Sequence, residues 1–279
     1  MQLLRSHRCF GASQQVWRHQ SAATGTEMEF AIFLPFGEED AAPRPVLFWL
    51  SGLTCTWANF TEKAGAQCYA ASHGLILVCP DTSPRGTELP GEDEAYDIGS
   101  GAGFYIDATA EPWSRHYRMF SYVTDELPEL VDRHFPADIG RRGIFGHSMG
   151  GHGALTIALK QPERWRSLSA FAPIVAPSQV PWGRKAFAGY LGADEAAWRA
   201  HDACALAAST AWRRPILIDQ GTGDEFLETQ LRPELFEAAC AAAGIPLTVR
   251  RREGYDHSYY FISTFIAEHL AHHSAALAG

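Results

Sequence analysis

Short runs of unbroken apolar residues alternate along the chain with longer segments whose apolar positions recur every three or four residues. Glu27 to Leu34 is the exception in kind: Met28, Phe30, Ile32 and Leu34 alternate with Glu29, Ala31 and Phe33, which predicts an early, weakly amphipathic strand. Pro45–Leu50 and Leu75–Cys79 are continuously apolar, as expected of parallel strands covered on both faces. Arg142–Phe145, Ser167–Phe171, Pro215–Asp219 and Leu247–Arg251 add four more strands. Between them the spacing predicts helices over Asn59–Ser72, with Gly74 as the stop, and over Met119–Phe135 despite Pro128. Further helices are expected over Ala154–Lys160, Thr229–Ala243 and Tyr259–Ala271. Strand and helix in alternation imply an α/β fold, a doubly wound and mostly parallel sheet flanked by helices. No linker divides the chain, so residues 1–279 are expected to form a single domain.

Two segments interrupt this rhythm. Asp81–Trp113 is rich in Gly and Asp, and Pro173–Arg213 in Trp and Ala. Both are too long for simple connectors, and both would sit over the carboxyl ends of the strands, where α/β folds bind ligands.

Composition narrows the partner. A hydrophobic content of 46% and a mean hydropathy of -0.15 describe a globule with a large core. No apolar run approaches the ~20 residues needed to span a bilayer. Met1 to Phe10 carries Arg5, His7 and Arg8 without an apolar centre, which argues against a secretory signal. The six cysteines are scattered, with no Cys-x-x-Cys pair, and fit reduced thiols in a cytoplasmic protein. A net charge of -9 disfavours nucleic acid, whose phosphates need a basic surface. A small-molecule partner is therefore expected, with no nucleic acid and no membrane.

Chemistry concentrates at Ile144-Phe145-Gly146-His147-Ser148-Met149-Gly150-Gly151-His152-Gly153. A Gly-x-Ser-x-Gly frame between a buried strand and a small-residue helix start suits a nucleophile elbow, in which glycines relieve crowding around the serine. Ser148 is then the candidate nucleophile, and it needs a base held by an acid. In elbow-type hydrolases the order is Ser, acid, His. His257, between the last strand and the last helix, stands where such a fold delivers its base. His152 is too close in sequence to reach back, and His201 lies in the second long segment. His269, His272 and His273 read most simply as a solvated helical face, with a weak surface metal site as the other reading. Asp219, Asp224 and Glu225 follow the preceding strand. Asp224, after two glycines, is best placed to turn toward His257, while Asp219 suits a structural contact and Glu225 is the fallback.

Two backbone N–H groups are needed for the oxyanion. Met149, following the nucleophile, should give one and Leu53, freed by Gly52, the other. Cys55 reads as a pocket-lining residue or, less simply, a second nucleophile. Trp182 either walls the site or packs in the core. An anionic ligand would need local positive charge, for which Lys63, Arg85, Arg115 and Lys185 are unranked candidates.

Long stretches of the chain resemble the S-formylglutathione hydrolase, or esterase D, family of the α/β-hydrolase superfamily. They include Leu50–Cys55, Pro80–Gly86, Gly101–Tyr105, Tyr117–Met119, Phe145–Ala154, Pro181–Gly183 and Gly254–Phe261, so the likeness spans essentially the whole chain. The resemblance implies the triad Ser148, Asp224 and His257, oxyanion donors at Leu53 and Met149, and an active-site cysteine at Cys55. It departs modestly at Glu225, where a more neutral residue is expected. The implied reaction is hydrolysis of S-formylglutathione to glutathione and formate through a formyl-serine, with no metal or organic cofactor. A homodimer is implied at the level of the family. Two rival readings are a general short-chain carboxylesterase of the same fold and a catalytically silent binding module; the intact Ser148, Asp224 and His257 oppose the second.

Overall fold

In the computed structural model, which describes residues 1–35 and 42–278, the hydrophobic runs become one nine-stranded sheet. The strands are β1 (Gln2–Cys9), β2 (Ala12–Gln20), β3 (Glu27–Leu34), β4 (Arg44–Leu50), β5 (Ile76–Pro80), β6 (Ala137–His147), β7 (Ser167–Phe171), β8 (Ile216–Gly221) and β9 (Leu247–Arg252). Their spatial order is β1-β2-β3-β5-β4-β6-β7-β8-β9. From β5 through β9 all neighbours are parallel, while β1, β2 and β3 join as an antiparallel extension that pairs with β5. The doubly wound, mostly parallel sheet is the α/β-hydrolase architecture expected from the sequence.

The continuous apolar runs occupy the middle of the sheet, where Val46 to Leu50 are wholly buried. Trp49 anchors this centre, stacked on Phe60 at 4.0 Å between ring centroids and meeting Phe145 edge-on at 4.8 Å. The helix Met149–Lys160 packs on β4, β6 and β7, and the terminal helix Tyr259–Leu277 packs on β6, β7, β8 and the helix Ala66–His73.

Several elements differ from the sequence expectation for identifiable reasons. The hairpin β1–β2 has no predicted counterpart because β1, at the sheet edge, is exposed along almost its whole length and carries no apolar face. Its turn is legible afterwards: Phe10 and Gly11 both take positive φ, the geometry of a tight two-residue hairpin. The helix expected over Asn59–Ser72 is two, Trp57–Lys63 and Ala66–His73, broken where Gly65 turns left-handed, while Gly74 ends the second as expected. Pro128 is accommodated by a wide π turn at Tyr122–Glu126 just before the helix Leu127–His134, which relieves the clash of its ring with the preceding turn. Arg232 in the left-handed region similarly divides a π turn, Leu227–Leu231, from the helix Pro233–Ala243, which Pro233 opens.

The terminal-helix histidines correct the solvated-face reading. His269 and His273, four apart, share a helical face, and that face is turned to the sheet and wholly buried. Ser167 and Ser169, two apart on β7, meet them: Ser167 Oγ lies 2.7 Å from His273 Nδ1, and Ser169 Oγ lies 2.8 Å from both His273 Nε2 and His269 Nδ1. His269 Nε2 stands 3.5 Å from Asp219. Burial pushes both imidazoles down, His269 to about 4, so they are neutral at physiological pH.

Candidate active site

Ser148 sits at the apex between β6 and the helix that follows, with φ 58° and ψ -118°, a conformation rare for a side-chain-bearing residue. Its glycines are required by contact. A Cβ on Gly146 would stand 2.3 Å from the Gly150 carbonyl oxygen, and one on Gly150 would stand 1.9 Å from that of Leu50. The strained apex is held by neighbours: Ser148 N donates to Phe171 O at 3.0 Å, and Ser148 O accepts from His152 N at 2.9 Å.

The loops after β8 and β9 are laced together, which brings Asp224 to His257. Thr222 N donates to Arg252 O, Gly223 N donates to Tyr255 O, each at 3.0 Å, and Gly254 N donates to Thr222 Oγ1 at 2.9 Å. Asp224 accepts from Phe226 N at 2.9 Å through Oδ1 and lies 2.6 Å from His257 Nδ1 through Oδ2. A carboxylate there holds the ring proton on Nδ1 and leaves Nε2 as an acceptor. The ring of His257 is itself held from two sides, by Phe226 at 5.1 Å and by His147 at 4.3 Å between centroids. His147 is buried, and burial pushes its imidazole well below the ordinary value and keeps it neutral, with the neighbouring His257 acting in the same direction.

Asp219 and Glu225 do not reach this histidine pair. Asp219 is buried under Arg250 and Arg252, and although burial pushes its carboxyl up, His269 and Arg250 pull it down to about 2. Glu225 is exposed. His201 pairs with Lys160 at 3.0 Å, and His152 turns inward to the Phe104 carbonyl.

Ser148 and His257 line one cleft of ≈ 310 Å³, together with Leu53, Cys55 and Trp182. Met149 opens the helix at its rear, so its amide has no acceptor within the helix. The Gly52 backbone packs so close to the serine that a Cβ on it would lie 3.2 Å from Ser148 Cβ, and Thr54, at positive φ, fixes the loop by donating to Gly101 O at 2.9 Å. Among the described residues neither the Leu53 nor the Met149 amide is hydrogen-bonded. Burial pushes the Cys55 thiol up, with Lys63 opposing, which favours the protonated lining residue over a second nucleophile. Trp182 donates its Nε1–H to Tyr96 Oη at 2.9 Å and packs on Phe226 at 4.7 Å.

Sequence reasoning missed Tyr96, Phe226, His147, Asn59 and Tyr259, which also line the cleft. Three carried a positional signal: Phe226 two residues after Asp224, His147 directly before Ser148, and Tyr259 two residues after His257.

The family model described as "Putative esterase" matches residues 21–272. A mouse S-formylglutathione hydrolase is 54% identical over 276 residues, covering 98% of each chain, and a bovine one is 53% identical over 274 residues, covering 98% of this chain and 97% of its own. The chain belongs to the S-formylglutathione hydrolase family of esterases. A solved S-formylglutathione hydrolase from Agrobacterium tumefaciens superposes with a TM-score of 0.97 over 100% of both chains at 54% identity. The family model begins after β2, while the likeness to that solved structure takes in the whole sheet. No described helix is long and apolar enough to cross a membrane.

Proposed function

We propose that this protein hydrolyses S-formylglutathione to glutathione and formate, with Ser148 as nucleophile, His257 as base and Asp224 as the acid that orients it. The observation that carries the reading is the 2.6 Å contact of Asp224 with His257 Nδ1, in a cleft that also presents the strained apex serine. Ser148 Oγ attacks the formyl carbon while its proton passes to His257 Nε2. The Leu53 and Met149 amides stabilise the oxyanion. Collapse breaks the C–S bond and the proton on His257 goes to the departing sulfur, whose thiol pKa of about 8.5 makes it a far better leaving group than an alkoxide. Water, deprotonated by His257, then attacks the formyl-serine ester, and formate leaves as Ser148 recovers its proton.

The relatives named S-formylglutathione hydrolase support the substrate, and the protonated Cys55 supports a single-nucleophile route. Cys55 and Trp182 would then bound the bound thioester. Six free cysteines favour a reducing, cytosolic setting, and the family likeness favours a homodimer, which light scattering would read. The deciding experiment compares kcat/KM for S-formylglutathione and p-nitrophenyl acetate on the wild type and Ser148→Ala. A large thioester preference lost in the variant supports the proposal; equal or better turnover of the simple ester moves the function to a general carboxylesterase.

A further inference from the structure

Tyr96, Trp182 and Phe226, which line the cleft, pack ring to ring at 6.4 Å and 4.7 Å between successive centroids. Asn59, Ser258 and Tyr259 line it as well and bring polar groups to it. Asn59 and Lys63 are four residues apart on the helix Trp57–Lys63 and so share a face. Lys63 Nζ stands 5.9 Å from the centroid of the Tyr259 ring, which sets its charge against a ring that lines the cleft.

The other candidate cations are engaged or elsewhere. Arg85 is gripped by both carboxylate oxygens of Asp81 at 2.9 Å and also donates to Cys55 O. Lys185 is paired with Asp97. Arg115 ends the short turn Trp113–Arg115, whose Trp113 packs on Tyr117 and Tyr190, none of which lines the cleft, whereas Lys63, itself outside the lining, lies against Tyr259, which does. Lys63 is exposed and, among the described residues, has no ion-pair partner.

We propose that Lys63 binds a carboxylate of the leaving group and so selects an anionic peptide thioester over a neutral ester, an assignment that rests on the thioesterase reading above. Glutathione carries two carboxylates and one ammonium group, and a protein of net charge -9 repels such an anion at long range. A cation without an ion-pair partner, set against a ring of the cleft that holds the nucleophile, offsets that repulsion where it matters. At an exposed site the pairing contributes a factor of about two to five in affinity.

The test is a cycle of two changes: Lys63→Met in the protein, and esterification of the carboxylates in S-formylglutathione. With the native thioester, K63M should raise KM about two- to fivefold, with a smaller change in kcat, and K63R should restore KM. The wild type should lose a similar factor on the esterified thioester, and K63M should be indifferent to that esterification. Equal KM shifts on the acid and esterified thioesters would make Lys63 merely structural and overturn the assignment, as would no shift on either. A wild type that turns over p-nitrophenyl acetate but neither thioester overturns the thioesterase reading, and the role of Lys63 with it.

Discussion

Gly221 lies against the carbonyl of Tyr255 so closely that a Cβ on it would stand 2.1 Å from the oxygen. This contact joins the end of β8, which leads to Asp224, to the loop that carries His257. Gly221→Ala must push the two loops apart, because the obstacle is backbone. We expect a loss of about 1–3 kcal/mol in stability and a fall in kcat beyond what the lost folded fraction explains. Urea unfolding and activity of the same preparation separate the two effects; wild-type values for both would show that the lacing of the loops does not position the acid.

Removal of the serine hydroxyl should cost about 10⁶ in turnover, by analogy with other serine triads. Asp224→Asn should cost about 10⁴, since the amide favours the wrong tautomer of His257. Both variants should keep their near-ultraviolet circular dichroism. Retention of substantial thioesterase activity in Ser148→Ala would remove Ser148 from the mechanism.

The ring of Phe226 backs His257 while its backbone amide holds Asp224. Phe226→Ala deletes only the ring, so it should lower kcat by about tenfold through looser orientation of the base and change KM less. Steady-state kinetics on the thioester decide this. A pure KM effect would reassign Phe226 to substrate contact.

Stability should fall on the acid side for reasons remote from the active site. His269 and His273 are buried and neutral, with folded-state values below the ordinary one of about 6.5, so the unfolded chain binds their protons more readily. Above about pH 6.5 both states are neutral and nothing is lost. As pH falls from there toward about 4 for His269, each histidine costs up to about 1.4 kcal/mol per pH unit. His152 and His201, both held at about 3, extend the same trend. Denaturation midpoints across that window should flatten in His269→Gln; an unaltered slope would show that other groups set the acid limit.

Much of this was readable in the chain. The apolar runs marked β4 through β8 because strands covered on both faces have no polar side to blur them, while β9, at the opposite edge, showed only the alternation of Leu247 and Val249 with Thr248 and Arg250. The glycines around Ser148 and the loop positions of Asp224 and His257 marked the site, because elbow and strand-end geometry demand those residue types. What escaped depended on contacts between distant residues. Nothing in His269 or His273 tells that Ser167 and Ser169 await them on β7, and nothing in Tyr96 tells that Trp182 will donate to it. Gly65 and Arg232 broke helices that periodicity alone would have continued. The edge strand β1 carried no pattern, since an edge beside solvent imposes none.

The hairpin β1–β2, together with β3, contributes no residue to the cleft. Substitutions there should therefore be interpreted through abundance in the cell, by way of solubility and susceptibility to proteolysis, while those in the parallel half of the sheet register directly in metabolic flux.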